Sequence, residues 1–263
     1  MSISFSVGRE KVRFAGRTDV GRVRDHNEDN LLIPDEIPLA VVSDGMGGHA
    51  CGEVASQITV EVIHEFYKRT AEEHARTWPF RIPQAELERN RMATAIKLAN
   101  SMIFDTAAAE AEKKGMGCTV EAIFFTKGRF YIGHVGDSRV YRIRGGAIQQ
   151  LTEDHSLLND WRRMKDMTPE EIRHFPHRNV VVRALGLAEH VNVDVVIDEF
   201  KVDDIYLMCS DGLNDMLEDD EILALVEKGK KRLDGAAQAL VDAANEAGGK
   251  DNVTALLAHV LEA

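Results

Sequence analysis

Five aspartates, Asp29, Asp44, Asp137, Asp211 and Asp251, stand far apart in the chain, and four of them stand beside short apolar runs of strand character. Their contexts are RDHNEDN (24–30), AVVSDGMGGH (40–49), GHVGDSR (133–139), LMCSDGL (207–213) and GKDNVT (249–254), each rich in glycine or asparagine. Carboxylates placed this way project from strand ends rather than from helix faces. Burying like charges side by side costs several kcal/mol unless a cation stands between them. The pattern therefore reads as one metal site, assembled from distant loops and filled by a hard divalent ion.

The hydrophobic period predicts strands at 12–18 and 39–43, then a helix from Gly52 to about Lys68. In that helix Val54, Ile58, Val62 and Phe66 recur every four residues, with Glu53, Glu61, Glu65 and Lys68 supplying the polar side. A longer helix is predicted from Gln84 to about Lys114, with Met92, Ile96, Ala99 and Ile103 as its apolar row and Gly115 as its stop. From Cys118 to Gln150 the chain reads as a meander, TVEAIFFT, RFYIGHV, RVYRIR and AIQQL, joined by KG, GDS and GG turns. Further strands are expected at 193–198, 205–210 and 253–260, and helices near 219–228 and 235–247. Strands and helices fall in blocks, which implies an α+β fold of antiparallel sheets flanked by helices rather than a doubly wound parallel sheet. A single domain over 1–263 is expected, with the charged stretch 153–182 as a flap inserted into it.

The net charge of −12, from 32 basic and 44 acidic residues, argues against nucleic acid as a partner, because such binding needs a basic surface. Cys51, Cys118 and Cys209 have no CxxC spacing and an odd count, which fits a reducing cytoplasm. The first residues lack the apolar stretch of a signal peptide, and no window approaches the length of a membrane span. A cytoplasmic monomer with no membrane partner is the expectation.

The local chemistry points the same way. Arg24 stands four residues before the adjacent acids Glu28 and Asp29; its guanidinium can fork onto a phosphate while the acids hold hydrated metal. Taken alone, that segment reads as a solvated charged loop, and only the motifs that follow favour the site. In SDGMGGH, Gly45 leaves a backbone carbonyl open to an ion, and Gly47 and Gly48 permit a sharp turn before a helix. GDSR at 136–139, taken alone, also makes a good hairpin turn.

In order along the chain, TDVGRVRDHNEDN, VVSDGMGGH, GCTV, HVGDSRVYRI, LTEDHS, RNVVVRALG, SDGL and DNVT resemble the PPM, or type 2C, family of metal-dependent serine/threonine protein phosphatases. The likeness spans nearly the whole chain, and DGMGGH and RALG liken it to the bacterial-type branch. The resemblance implies a four-layer α-β-β-α sandwich with a two-metal site at one end and the short flap insertion beside it. It implies that Asp44 bridges two Mg²⁺ or Mn²⁺ ions, with the Gly45 carbonyl on one of them. Asp211 and Asp251 would complete one ion's shell, and Glu28 and Asp29 would act on the other, largely through water. Asp137 and Asp211 would hold a third, weaker ion, and Arg24 would grip the substrate phosphate.

All-oxygen donors suit Mg²⁺ or Mn²⁺ better than Zn²⁺. Two such ions, about 3.5–4 Å apart in related chemistry, supply a bridging hydroxide that hydrolyses phosphoserine or phosphothreonine without a phosphoenzyme. The implied partners are phosphoprotein substrates and an opposing serine/threonine kinase. The general acid stays open: many eukaryotic members carry a histidine directly after the Asp-Gly pair, whereas this chain has Met46. His49 and a metal-bound water are the candidates.

Asp154 and His155 of LTEDHS read as structural, capping a helix. The basic flap residues Arg162, Arg163, Lys165, Arg173 and Arg178 either steer an acidic phosphopeptide or keep the flap soluble. Cys118 and Cys209 read as small core residues, and Cys51, near the metal loop, is the one candidate for oxidation. Two further readings are a catalytically silent scaffold that binds phosphoproteins, and the same fold acting on another substrate such as a phosphorylated sigma-factor regulator.

Overall fold

The computed structural model describes residues 2–47, 51–71, 84–173, 175–176 and 180–263. Its first elements are β1 (Ile3–Val7), β2 (Glu10–Asp19), β3 (Asn30–Leu32), β4 (Leu39–Ser43), β5 (Gly45–Met46), α1 (Cys51–Thr70) and α2 (Gln84–Ala109). Four strands follow a short β6 (Gly117–Cys118): β7 (Val120–Thr126), β8 (Arg129–Val135), β9 (Arg139–Arg144) and β10 (Ala147–Gln150). The flap carries α3 (Leu157–Met164) and α4 (Pro169–Arg173). The chain continues through β11 (Asp194–Glu199), β12 (Ile205–Cys209), α5 (Asp211–Asn214), α6 (Asp219–Gly229), α7 (Leu233–Glu246) and β13 (Val253–Glu262).

Two antiparallel sheets face each other, one ordered β1-β2-β13-β12-β9-β10 and the other β11-β8-β7-β4-β3. Side-chain alternation sorts each central strand between two cores. In β4, Leu39 and Val41 pack toward α1 and α2, while Ala40 and Val42 face the other sheet. In β12, Ile205, Leu207 and Cys209 pack with Leu240 and Val241 of α7, while Tyr206 and Met208 point inward between the sheets. Strands buried on both faces read as unbroken apolar runs, which is why LAVVS and IYLMC show no polar alternation. The layers are thus helix, sheet, sheet, helix, as the sequence implies. Among the described residues no helix is long and apolar enough to cross a membrane.

Three local expectations change. The 118–150 segment is not one meander: β7 pairs with β8 and β9 with β10, but β8 and β9 lie in different sheets. The GDS segment is therefore a crossing between sheets, and it leaves Asp137 at the sandwich end. Gly136 is required there, because its φ is +124° and a Cβ would meet the Thr119 side chain at 2.6 Å.

The second helix ends at Ala109 rather than near Lys114, and a 3-10 turn, Ala111–Lys113, follows it. Beyond Ala107, the last side chain packed against the core, residues 108–112 are exposed, so nothing holds the helix on. In α1 the buried stripe is Ala55, Thr59, Ile63 and Tyr67, one residue on from the expected row. Val54, Ile58, Val62 and Phe66 are its half-buried edge, because both a sheet and α2 cover this helix.

The flap is zipped at its base. Leu157 donates to Val180 O at 2.9 Å and Val182 donates to His155 O at 2.9 Å. The α3 cap is Ser156, whose hydroxyl accepts from Asn159 N–H, rather than Asp154 or His155. Arg163 is spent on Glu153 and Lys165 on Glu171, while Arg162 stays exposed. The Arg173 side chain and Arg178 lie outside the described residues.

Candidate metal centre

The expected residues converge at one end of the sandwich. Arg24, Glu28, Asp44, Gly45, Asp137, Asp211 and Asp251 line one cavity of about 460 Å³, together with Met46, Gly47, Thr119 and the flap residue Val181. Asp44 follows β4, Asp211 opens α5, Asp137 sits on the crossing between sheets, and Asp251 stands just before β13. Four strand ends and one loop thus bring together acids spread over more than two hundred residues. His49 and Gly48 lie outside the described residues.

Asp29 is placed differently. It is only 5% exposed and lies beneath the cavity, where its Oδ2 accepts from Ser210 Oγ at 2.7 Å and Thr254 Oγ1 at 2.6 Å. Among the described residues its Oδ1 is buried without a hydrogen-bond partner. Such an orphan costs free energy unless a cation or a water completes it.

Burial pushes the Asp44 carboxyl well above the usual range, and repulsion from Asp29, Asp211, Asp137 and Asp251 adds to it. Asp211 is raised for the same reasons, burial first and then Asp137. Asp29 and Asp137 are each pushed up to about 6, mainly by burial. A cluster that resists losing its protons is one that welcomes other positive charge. Among the described residues, no three acid, histidine or cysteine side chains already stand together as a ligand cluster. The donor set lining the cavity is all oxygen and fits Mg²⁺ or Mn²⁺.

Neighbouring groups set the spacing of these acids. Thr119 N–H donates to Asp44 O at 2.8 Å, and Asp44 N–H donates back to Thr119 Oγ1 at 3.0 Å. The same hydroxyl bonds Ser138 Oγ at 2.8 Å, so one threonine ties the Asp44 loop to the Asp137 loop. Gly45 admits no side chain, since a Cβ would meet Gly52 O at 2.2 Å. Arg24 reaches Asp251 with an Nη2 to Oδ2 distance of 2.6 Å, and this bond raises the guanidinium pKa further.

Sequence reasoning passed over Thr119, Ser138, Ser210 and Thr254. Ser138 and Ser210 adjoin Asp137 and Asp211, and Thr254 follows Asp251 by three residues, whereas Thr119 stands in GCTV with no acid of the site beside it. His155 is structural, though it holds the crossing between sheets rather than a helix end. Gly136 N–H donates to its Nδ1 at 3.0 Å, and its Nε2 meets Asp194 Oδ2 at 3.0 Å and Arg183 Nη1 at 2.8 Å. Burial and the neighbouring His134 push its pKa down to about 4, which keeps this ring neutral.

His134 stacks on His155 at 4.4 Å and is itself held by Glu121, with Nδ1 to Oε1 at 2.6 Å, while its Nε2 faces Glu153 O. Burial opposes its charge, but Glu121 overrides this and lifts its pKa to about 9. A raised histidine pKa stabilises the fold fully below its ordinary value of 6.5, and that stability drains away as pH rises through about 9. Replacing Glu121 and His134 together by leucine should therefore flatten the fall in melting temperature between pH 6.5 and 9 measured in EDTA. Identical pH slopes for the two proteins would refute this reading of the pair.

Residues 22–258 match the protein phosphatase 2C family. The chain is 36% identical to the serine/threonine phosphatase stp of Listeria welshimeri over 248 residues, covering 92% of this chain and 93% of that protein. It resembles the crystal structure of the Mycobacterium tuberculosis serine/threonine phosphatase PstP/Ppp with a TM-score of 0.83, 34% identity, and coverage of 96% and 99% of the two chains. It also resembles a PstP catalytic domain solved in complex with two manganese ions, with a TM-score of 0.80, 31% identity, and coverage of 95% and 98%. Fold, cavity and sequence agree, and the chain belongs to the protein phosphatase 2C family of bacterial-type serine/threonine phosphatases.

Proposed function

We propose that this chain hydrolyses phosphoserine and phosphothreonine monoesters of proteins at the acid-lined cavity. Asp44, the Gly45 carbonyl, Asp211 and Asp251 would hold the core Mg²⁺ or Mn²⁺ pair, with Glu28 and Asp29 serving the second ion. Asp137 and Asp211 would hold a third, weaker one. When bound, the cations supply an acidified water for in-line attack and offset the charge of the phosphoryl oxygens. The observation that carries this reading is the gathering of Asp44, Asp137, Asp211 and Asp251 around one cavity with Arg24 at its side.

The protein's own groups do the positioning. Arg24, half-exposed and already reaching across to Asp251, offers its other N–H donors to an ester phosphate seated over the acids. Thr119 and Ser138 hold the spacing of the Asp44 and Asp137 loops. Asp29, held by Ser210 and Thr254, lies against Asp44. Phosphorylated serine and threonine are made by protein kinases, so the reading extends to a cytoplasmic role opposite such a kinase.

With Mn²⁺, the purified protein should release phosphate from a phosphothreonine peptide, and EDTA should abolish the release. Protein that binds no Mn²⁺ by calorimetry, or stays inert on several phosphopeptides and on p-nitrophenyl phosphate at saturating Mn²⁺, would sink the proposal. The same experiment eliminates or reinstates the silent scaffold.

A further inference from the structure

We infer that Asn252 is a positioning residue that sets the reach of Arg24, and the inference rests on the phosphatase reading above. Asn252 is 5% exposed and stands between Asp251 and the start of β13. Every polar position of its amide is engaged on the segment that carries Arg24. The Nδ2 group donates to Val20 O at 2.9 Å and to His26 O at 3.0 Å. The Oδ1 atom accepts from Glu28 N–H at 2.8 Å. One side chain thus grips residues 20, 26 and 28, on either side of Arg24.

The grip has a fixed base. Asn252 N–H donates to its own neighbour, Asp251 Oδ1, at 2.9 Å. The backbone of 251–252 is wedged between two glycines: a Cβ on Gly21 would meet Asp251 O at 2.2 Å, and one on Gly212 would meet Asn252 O at 2.0 Å. Gly21 belongs to the Arg24 segment and Gly212 follows Asp211. The loop bearing the phosphate-binding arginine, the Asp211 turn and the Asp251 turn are therefore packed backbone to backbone. Arg22 N–H adds a further tie to Gly249 O at 2.7 Å.

An arginine at a surface cavity has ample rotamer freedom, and a loop around it would add more. A carboxamide suits the task because it offers two donors and an acceptor in one plane, matching two carbonyls and one N–H. Serine or alanine cannot span all three. Loss of the clamp lets the 20–28 segment drift, and a misplacement of about 1 Å in a binding group can cost roughly a hundredfold in rate.

A double-mutant cycle on Arg24 and Asn252 tests this, with p-nitrophenyl phosphate and a phosphothreonine peptide as substrates at saturating Mn²⁺. The wild-type measurement tests the phosphatase reading by itself. Given turnover, Asn252→Ala should lower kcat/KM about a hundredfold in the wild-type background. In the Arg24→Ala background the same change should cost no more than about threefold, because the group it positions is gone. Glu28 lies in the same segment, so Mn²⁺ affinity by calorimetry should weaken, but by far less than kcat/KM falls, and turnover is read at saturating Mn²⁺. Equal losses in both backgrounds, or a loss no larger than the weakening of Mn²⁺ binding, overturn the positioning role. Asn252→Ser, which keeps one polar atom, guards against a folding failure. Should both variants be unfolded at the assay temperature, Asn252 is a structural residue and the inference falls.

Discussion

Asn in place of Asp44 should give a protein that is inactive yet more heat-stable than the wild type when metal is absent. The two halves of that result have one cause. The carboxyl is buried among Asp29, Asp211, Asp137 and Asp251, and its pKa is raised in the fold. A group so raised binds its proton more tightly folded than unfolded, so the ion-free fold loses stability as pH climbs from the ordinary value of 3.8. At neutral pH in EDTA that cost is present in the wild type and absent from Asp44→Asn. Mn²⁺ reverses the order, since an ion at a hundred times its dissociation constant stabilises by about 2.7 kcal/mol. The wild type should gain that increment and the variant little of it. Turnover should fall by more than about a thousandfold, the scale on which one well-placed electrostatic contact already acts. Scanning calorimetry with and without Mn²⁺ checks the stability order, and a variant less stable than wild type in EDTA would contradict the charge-cluster account.

Arg24→Ala should split two properties that usually move together. Two charge-assisted hydrogen bonds to a phosphate are lost, worth about 3 kcal/mol in sum, so kcat/KM should fall roughly a hundredfold. Mn²⁺ binding should hold or tighten, because Arg24 no longer competes for Asp251. That gain is small: the pair is 51% and 35% exposed, and exposed ion pairs are worth about 0–1 kcal/mol, or no more than about fivefold in affinity. Arg24→Lys should recover part of the rate as a point charge without the fork. A fall in kcat/KM that disappears at higher Mn²⁺ would assign Arg24 to the metal site instead of to the phosphate.

Asp44, Asp137 and Asp211 were legible because each ends an apolar run, and a charged residue at the end of a doubly buried strand has few ordinary explanations. Asp44 after LAVVS and Asp211 after IYLMC are the clearest instances, and both line the cavity. Their pairing across the fold was not legible from local pattern, since nothing in VVSD or CSDG says which strand lies alongside. The GDS segment shows the limit well. Its local chemistry serves a hairpin and an inter-sheet crossing alike, and the choice is made by β9 pairing with β12, some sixty residues further on. The offset stripe of α1 has a similar origin: period alone finds a helix, but two packed neighbours decide which rows are covered. Asp29 shows a third kind of gap. Its place beside Glu28 reads as an acid acting on an ion through water, and its burial comes from the hydroxyls of Ser210 and Thr254, contributed from far along the chain.

The pairing of β2 with β13 bears on how the molecule comes into being. These strands are neighbours near the middle of one sheet, in register from Glu10 opposite Glu262 to Asp19 opposite Val253. A growing chain on the ribosome cannot close that sheet until residues 253–262 have emerged, and until then β2 and β12 each present an open edge to solvent and to other chains. The same late strand brings Asp251 and Asn252 to the cavity, so the parts of the centre appear in a set order and the last of them arrives with the final sheet closure. A chain lacking residues 250–262 would therefore hold the early acids without Asp251 or the Asn252 clamp, so β13 both closes the sheet and completes the cavity lining.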